Sequence, residues 1–218
     1  MLVGANLQEL YSLLRSHNAL VVHFSGTPKG VGVETRFPDD LINSIANGNR
    51  FSLSSSTVMP GDYFLDDRQR NRNATGTIGI ILSFNSESSL MAVSAKDAGT
   101  NIARQDRAVE LVECEASISD RIGYNEWNVC QYSVIGIFVV EPIQFFGKIP
   151  MPGYADLTDD QKIMFGASET TDGAEACTID ELREIFPEQR IFTFSGNNIV
   201  ECLPNGTQSV VQHQQLYQ

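Results

Sequence analysis

The sequence predicts an α+β fold, because a helix, a strand and a second helix come before a long series of strands. Leu7, Leu10, Leu13 and Leu14 share one face of a helix near the start of the chain. The apolar, β-branched segment ALVVHF at residues 19–24 is typical of a buried strand. Further along, strands follow one another without intervening helices, which is not the pattern of a parallel βαβ sheet.

The second helix is predicted at residues 38–48, PDDLINSIANG. Pro38 fits the first turn of a helix, where its missing N–H costs nothing. Asp39 and Asp40 interact favourably with the positive end of the helix dipole. Gly48 suits the left-handed conformation that ends many helices.

Most of the following sequence is predicted to be β-structure. Short apolar segments separated by turn residues are typical of an antiparallel sheet. An exposed loop is expected at residues 65–76, where polar and charged residues dominate. The predicted strands lie at residues 51–58, 77–84, 89–95 and 108–118, with two more within 126–140.

The composition changes to polar and acidic after residue 150, and one short helix is predicted there. Thr178 and Glu181 have the spacing of a capping box, which predicts a further helix. A hairpin turning at residues 196–198 and a frayed tail at residues 209–218 complete the chain.

This change of composition predicts two parts of the chain. Residues 1–148 form the core, and residues 149–218 form an accessory segment, a helix plus a hairpin, that packs on the core or recognises a target.

The composition limits the classes of partner. Hydrophobic residues make up 42% and charged residues 19% of the 218 residues, which is enough apolar material for a core. The net charge of −12 disfavours nucleic acids and anionic membranes as partners. The four cysteines have no zinc-binding spacing and are expected to be reduced thiols, so no metal site is predicted.

No targeting or membrane segment is predicted. The N-terminal residues lack the basic and apolar regions of a signal peptide, and no apolar run is long enough to span a bilayer. We therefore expect a soluble protein of the cytoplasm, or one exported without a classical signal peptide.

Glu126 is the first candidate catalytic residue. It follows Asn125 and opens a strand, which places its carboxylate at the rim of a hairpin. A glutamate in that position is most often simply solvated, and this is the alternative to a catalytic role.

The surroundings of Glu126 resemble a known family. Asn125-Glu126-Trp127, an apolar strand and a second strand starting at Tyr132 resemble the Asn-Glu-Tyr ending of the poly(ADP-ribose) polymerase catalytic domain, a member of the ADP-ribosyltransferase superfamily. The resemblance covers residues 122–143. It implies that Glu126 binds the 2′-hydroxyl of the nicotinamide ribose and stabilises an oxocarbenium-like transition state, which requires a fixed carboxylate beside a developing cation.

His23 is the second candidate catalytic residue. VVHFSGT resembles the strand ending in His-Gly-Ser/Thr that begins the polymerase and diphtheria-toxin branches, with Phe24 and Ser25 standing before Gly26. The resemblance implies that His23 holds the adenosine ribose of NAD⁺. It also implies that main-chain groups of Phe24, Ser25 and Gly26 contact the nicotinamide amide. The alternative is a histidine hydrogen-bonded to the main chain at a strand end.

The serine-rich segment FSLSSST is the third element. Ser54, Ser55, Ser56 and Thr57 resemble the Ser-Thr-Ser strand that braces the NAD pocket in other branches of the superfamily. Alternate side chains of a strand face opposite ways, so either Ser54 and Ser56 or Ser55 and Thr57 face the cleft. The alternative is a strand of small polar residues that face solvent.

The aromatic residue that stacks on nicotinamide in the superfamily has three candidates here. Tyr63 is preferred to Phe51 and Phe64, although any of these rings also suits a core. The loop that follows offers guanidinium groups that either grip a pyrophosphate or stay solvated, at Arg68, Arg70 and Arg72.

Glu113-Cys114-Glu115 is a rival catalytic motif. Arginine-directed members of the superfamily use Glu-x-Glu, and a strand at residues 108–118 would place both carboxylates on one face. We rank this motif second because the strands after Glu126 fit the resemblance better and because the first strand offers His23 where those members have arginine.

The resemblance implies a split-β ADP-ribosyltransferase core of two packed, mainly antiparallel sheets with flanking helices and an NAD⁺ cleft between them. It implies mono-ADP-ribosyl transfer from NAD⁺ to a protein side chain, with nicotinamide released and NAD⁺ consumed as a substrate. The partner would be a target protein, including one of a host cell, as for bacterial toxins and effectors. The alternatives are NAD⁺ hydrolysis and a non-catalytic binding protein of the same fold.

Overall fold

A computed structural model describes residues 6–24, 37–46, 52–61, 77–96, 108–120 and 125–217. Within these ranges the chain has six α-helices and two sheets, which confirms the α+β class. The helices are α1 (Leu7–Ser16), α2 (Phe37–Ala46), α3 (Leu111–Ser119), α4 (Asp159–Phe165), α5 (Ile179–Ile185) and α6 (His213–Leu216).

The main sheet has nine strands in the described parts of the chain. The strands are β1 (Leu20–Phe24), β2 (Leu53–Val58), β3 (Ile78–Phe84), β4 (Leu90–Ser94), β5 (Glu126–Val129), β6 (Tyr132–Val139), β9 (Ile191–Ser195), β10 (Asn198–Cys202) and β11 (Gln208–Val211). Their spatial order is β11-β10-β9-β6-β3-β1-β2-β5-β4. Every neighbouring pair is antiparallel except β6 and β9, which are parallel, so the sheet is mixed.

A separate two-stranded antiparallel sheet is formed by β7 (Gln144–Pro150) and β8 (Thr170–Ala176). The segment between these strands contains a 3₁₀ turn at Tyr154–Asp156 and then α4. Three consecutive apolar residues of α4 are largely exposed, Ile163, Met164 and Phe165.

Strand β2 changes partner along its length. Its last three residues pair with β1, with Ser56 opposite Val22, whereas its first three pair with β5, with Ser55 opposite Trp127. The ladder with β1 and the ladder with β5 therefore occupy different parts of β2. The strands that continue from β1 and those that continue from β5 can separate into two groups at this point of the sheet.

The central strands are buried because they carry continuous apolar runs. In β3 (IGIILSF), six of the seven residues are buried, as expected for a strand covered on both faces. Helix α1 buries Leu10 and Leu14, and its Tyr11 hydroxyl accepts a hydrogen bond from Phe84 N at 2.8 Å and donates one to Phe84 O at 3.0 Å. The predicted amphipathic helix is therefore confirmed, and its tyrosine fixes it to β3.

The prediction of a strand at residues 108–118 is wrong, because this segment contains α3. Glu110 and Glu113 form a capping box, in which Glu110 N donates to Glu113 Oε2 at 2.9 Å. The buried residues Cys114, Ser117 and Ile118 have the three- and four-residue spacing of a helix face. In the sequence, the alternation of Glu113 and Glu115 with apolar residues indicated a strand instead of this helical period.

The prediction of a frayed C-terminal tail is also wrong. Residues 208–211 form β11, and α6 follows it and packs on the core. Tyr217 is buried and stacks on Tyr11 with ring centroids 4.9 Å apart. Its hydroxyl accepts a hydrogen bond from Val21 N at 3.2 Å, which supplies a partner for the main chain of β1.

The other predicted elements within the described residues are confirmed, including the Thr178 capping box and the hairpin of β9 and β10. The division at residue 148 stays a prediction. Strand β9 pairs with β6, so the C-terminal strands extend the same sheet as the N-terminal ones.

A methyl group on Gly136 should disrupt the packing of β9 on β6. A Cβ atom there would lie 2.5 Å from Arg190 O and 2.7 Å from Phe192 Cε2. We expect Gly136→Ala to lower the free energy of unfolding by about 1–3 kcal/mol, measured by urea denaturation. Ser133→Ala, at an exposed position of the same strand, should change it by less than about 1 kcal/mol. Equal stability of the two variants would contradict the pairing of β6 with β9.

His213 should make stability depend on pH. Its Nε2 donates to Ala19 O at 2.8 Å, and burial lowers the pKa of this imidazole more than that hydrogen bond raises it, with Arg15 adding to the decrease. Below about pH 6.5 the unfolded chain therefore takes up a proton that the folded chain resists, and stability falls as pH decreases. Urea denaturation between neutral and mildly acidic pH measures how the free energy of unfolding depends on pH. This dependence should be less steep for His213→Gln than for the control His17→Gln. Identical slopes would refute the prediction.

Candidate functional site

Glu126 is the first residue of β5 and is only 4% exposed. It lies opposite Ser94 of β4. The ladder between β2 and β5 ends with Ser55 opposite Trp127, and the next residue of β2, Ser56, reaches the start of β5 by donating from its Oγ to Asn125 O at 2.7 Å. Glu126 therefore has a hydroxyl-bearing residue on each neighbouring strand, Ser94 on β4 and Ser56 on β2.

Asn125 fixes the main chain immediately before Glu126. Its Nδ2 donates to Thr57 Oγ1 at 2.6 Å and to Ser117 O at 3.0 Å, and its Oδ1 accepts from Thr57 N at 2.9 Å. The main-chain carbonyl of Asn125 accepts from Ser56 Oγ at 2.7 Å. The side chain is 1% exposed and uses both donor hydrogens, so it joins β2, α3 and the start of β5.

Trp127 fixes the main chain on the other side of Glu126. Its Nε1 donates to Ser117 Oγ at 2.8 Å, and this hydroxyl in turn donates to Cys114 O at 2.8 Å. Asn125 and Trp127 thus both contact α3. Since alternate side chains of a strand point to opposite faces, Glu126 faces away from α3.

The four hydroxyl-bearing residues of β2 point alternately to the two faces of the sheet. Ser55 and Thr57 are buried, and Thr57 is bonded to Asn125. Ser54 is exposed and Ser56 half-buried, and they share the face of Glu126. Of the two predicted pairs, Ser54 and Ser56 therefore lie on the face of the candidate carboxylate. Ser55 Oγ is buried without a hydrogen-bond partner.

His23 lies where β1 leaves β2. Val22 is opposite Ser56 in the last pair of this ladder, and His23 Nδ1 lies 2.7 Å from Ser54 O. Because a carbonyl only accepts, Nδ1 carries the proton of this bond. This hydrogen bond confirms the main-chain contact predicted as the alternative role of His23.

His23 on β1 and Glu126 on β5 lie at nearly the same level along the strand direction, and only β2 separates the two strands. Two strand spacings place their main chains about 10 Å apart. Strict alternation puts the side chain of His23 on the face opposite Glu126, and its Nδ1 contacts the main chain of β2 at Ser54 O. The two residues therefore lie on the strands that flank β2, with Ser54 and Ser56 on the strand between them.

The ring of Phe24 packs in the core against Phe138, with centroids 6.2 Å apart. A contact between Phe24 and NAD⁺ would thus involve its main chain. Several predicted residues lie outside the described residues, namely Ser25, Gly26, Phe51, Tyr63, Phe64, Arg68, Arg70 and Arg72.

The rival motif does not form a same-face pair. Glu113 and Glu115 lie in α3, where residues two apart point in widely different directions. Glu113 caps the helix through Glu110 N, and Glu115 is exposed. Burial, with the neighbouring Glu113 carboxylate, raises the pKa of Cys114 to about 12, so this thiol stays protonated and is a poor nucleophile.

Two polar residues around the site were not predicted from the sequence. Ser117 receives hydrogen bonds from both residues that flank Glu126, and Ser94 lies opposite the carboxylate. A helical period over residues 110–118 would have indicated that Ser117 lies on the buried face of α3.

No family model, curated protein or solved structure matches this chain. The resemblance described above therefore depends on the motifs alone. Among the described residues, no group of three or more His, Cys, Asp or Glu side chains could hold a metal ion. No helix in the described ranges has the length and apolarity to cross a bilayer.

Replacing Asn125 should destabilise the fold around the site. Asn125→Ala leaves Thr57 N and Ser117 O without their partner in a buried setting, so we expect the free energy of unfolding to fall by about 2–4 kcal/mol. Ser56→Ala removes one hydrogen bond to the same residue and should cost about 1 kcal/mol. Urea denaturation of both variants measures the difference. If Asn125→Ala costs no more than Ser56→Ala, the side chain does not join these elements.

Proposed function

We propose that this chain transfers ADP-ribose from NAD⁺ to a protein side chain and releases nicotinamide. The observation that supports the proposal is that His23 and Glu126 lie on the two strands that flank β2, with Ser54 and Ser56 on the strand between them. Two motifs that lie about one hundred residues apart in the sequence occupy one region of the sheet. A chance resemblance at either motif alone would not require this proximity.

Glu126 would stabilise the positive charge that develops on the ribose. The bond between ribose C1′ and the nicotinamide nitrogen breaks, nicotinamide leaves with the electron pair, and a nucleophilic side chain of the target then bonds to C1′ and loses its proton. A carboxylate that Asn125 and Trp127 hold in place needs little reorganisation as this charge appears. Its burial lowers the local dielectric constant and strengthens the interaction.

His23 would bind the adenosine ribose of NAD⁺. The contact of Nδ1 with Ser54 O sets the orientation and the proton position of the imidazole. Ser54 and Ser56 lie between His23 and Glu126 and would provide hydroxyl groups along the ribose and nicotinamide part of NAD⁺.

The cleft would be the split between the ladders of β2. A split-β ADP-ribosyltransferase core has two groups of strands with the cleft between them, and we propose that the strands continuing from β1 and those continuing from β5 are these groups. The target would be a protein, and a bacterial effector or toxin acting on a host protein is the setting that the motif resemblance favours.

Substituting Glu126 tests the proposed carboxylate. We expect Glu126→Gln to lower the rate of label transfer from radiolabelled NAD⁺ to protein in a cell lysate by about 10²–10³-fold, because the amide cannot offset the developing charge. Glu115→Gln removes an exposed charge from α3 and is the matched control, which should keep the rate of the unmodified protein.

The products of the same assay separate the alternatives. Label on a protein band supports transfer, whereas free ADP-ribose without labelled protein indicates NAD⁺ hydrolysis at the same site. A Glu126→Gln variant that retains full turnover would refute the role of this residue. The absence of both products would support a non-catalytic binding protein.

A further inference from the structure

Helix α4 presents three consecutive apolar residues to solvent. Ile163 is 81% exposed, Met164 75% and Phe165 66%. In the described parts of the chain, the other large apolar side chains that are exposed stand singly in the sequence. Single exposed apolar side chains are ordinary on a protein surface, whereas a contiguous group of them marks an interaction surface. These three residues are called the α4 patch below.

The α4 patch has no role in the core of the described residues. Helix α4 has no buried residue, and neither has the 3₁₀ turn that precedes it. The ends of the helix specify it instead. Thr158 and Gln161 form a capping box, and Gly166 takes the left-handed conformation at the C-terminal end, with φ of 57°. Because the helix does not need these apolar side chains for burial, their exposure points to contact with another molecule.

Carboxylates border the α4 patch. Asp159 precedes Ile163 by four positions and Asp160 precedes Met164 by four, so each pair lies on one side of the helix. Lys162 Nζ lies 3.6 Å from Asp159 Oδ1, whereas Asp160 forms no ion pair with any residue that the structure describes.

The charge around the α4 patch is negative overall. Residues 151–169 contain four acidic residues and one basic residue, which gives this segment a net charge of −3. The surface is therefore apolar at its centre and acidic at its border.

The sign of this charge decides between the possible occupants. A second copy of the chain would bring the same carboxylates together, and the net charge of −12 opposes that association. An anionic bilayer is repelled for the same reason. A protein segment with apolar side chains beside lysine or arginine complements both the apolar centre and the acidic border.

We propose that the α4 patch is the docking surface for a partner protein that presents a basic, amphipathic segment. The apolar side chains of that segment cover Ile163, Met164 and Phe165, and its lysines or arginines pair with the carboxylates at the border. The proposal goes beyond the function proposed above and does not depend on it. Neither His23 nor Glu126 takes part, and the tests measure binding instead of NAD⁺ turnover.

A synthetic helical peptide of leucine and lysine, with leucine at every third or fourth position, is the probe. Titration of the ¹⁵N-labelled chain should shift the amide signals of α4. One control peptide has glutamate at every lysine position, and a second has glutamine at every leucine position. Each should bind about tenfold or more weakly than the probe, because it lacks one of the two complementary features. Equal affinity of either control, or unchanged α4 signals, would overturn the proposal.

Apolar residues of α4 are tested by Ile163→Gln and Phe165→Gln. Each should weaken binding of the leucine–lysine peptide about tenfold, because each removes apolar area from the contact. Glutamine is a good helix former and neither position is buried, so both variants should keep their thermal unfolding midpoints. Val112→Gln makes a matched change at an exposed position of α3 and should leave the affinity unchanged. Full affinity of Phe165→Gln, or an equal loss in the α3 variant, would contradict the proposal.

The acidic border is tested by Asp160→Asn. This change should weaken peptide binding about threefold and make it less sensitive to salt, because exposed ion pairs are weak and screened. Glu115→Gln removes the same charge from an exposed position of α3 and should leave the affinity unchanged. An equal loss in both variants would show that the peptide responds only to net charge, against the proposal.

Two measurements without peptide test the other occupants. A dimer in sedimentation equilibrium that Phe165→Gln dissociates would assign the α4 patch to a second copy. Co-sedimentation with phosphatidylcholine vesicles that the same variant loses would assign it to a lipid surface. Either result would overturn the proposal, which predicts that Phe165→Gln changes neither the sedimentation of the chain nor its recovery in the vesicle supernatant.

Discussion

The side chain of Asn125 is the contact on which the site depends. It satisfies its donors and its acceptor within β2 and α3, and it directly precedes Glu126. An isolated glutamate at a strand end would be free to change rotamer and to stay in water. Here the amide on one side and the indole of Trp127 on the other hold the main chain of β5 against α3. The contacts of its two neighbours therefore set the main-chain position from which Glu126 projects.

The change of partner along β2 explains why polar residues occupy the centre of a large sheet. A central strand paired fully on both sides would have no room for a histidine side chain beside its main chain. Because the ladder with β1 ends at Ser56, Ser54 O is available to the ring of His23. The same separation leaves Ser54 exposed. Small hydroxyl side chains, which add little apolar packing to a strand, occupy this part of the sheet.

The sequence was sufficient for elements whose local signals agree. The leucines of α1, the apolar run of β3 and the capping box at Thr178 each have one dominant period or motif. A strand was wrongly predicted at residues 108–118 because Glu113 and Glu115 alternate with apolar neighbours. The helical period depends on the burial of Ser117, and that burial requires the hydrogen bond from Trp127. The ordered structure of the C-terminal residues was not predicted because Tyr217 contacts Val21 and Tyr11, and a local sequence pattern does not report contacts so far apart in the chain. The positions of Glu126 and His23 on strands could be predicted, but the hydrogen bonds that orient them could not.

The link between Val21 and Tyr217 joins residues 196 positions apart, and this sets an order on folding. Closing such a long loop is entropically costly, and contacts of this kind slow folding. During synthesis, β1 and α1 emerge early, yet the aromatic cover for both is made almost two hundred residues later. The N-terminal strand that carries His23 is therefore completed only after the strands around Glu126 and the C-terminal hairpin exist. A nascent chain would hold His23 and the strands around Glu126 before Tyr217 is made, so the N-terminal strand gains this hydrogen bond only once synthesis has passed that residue.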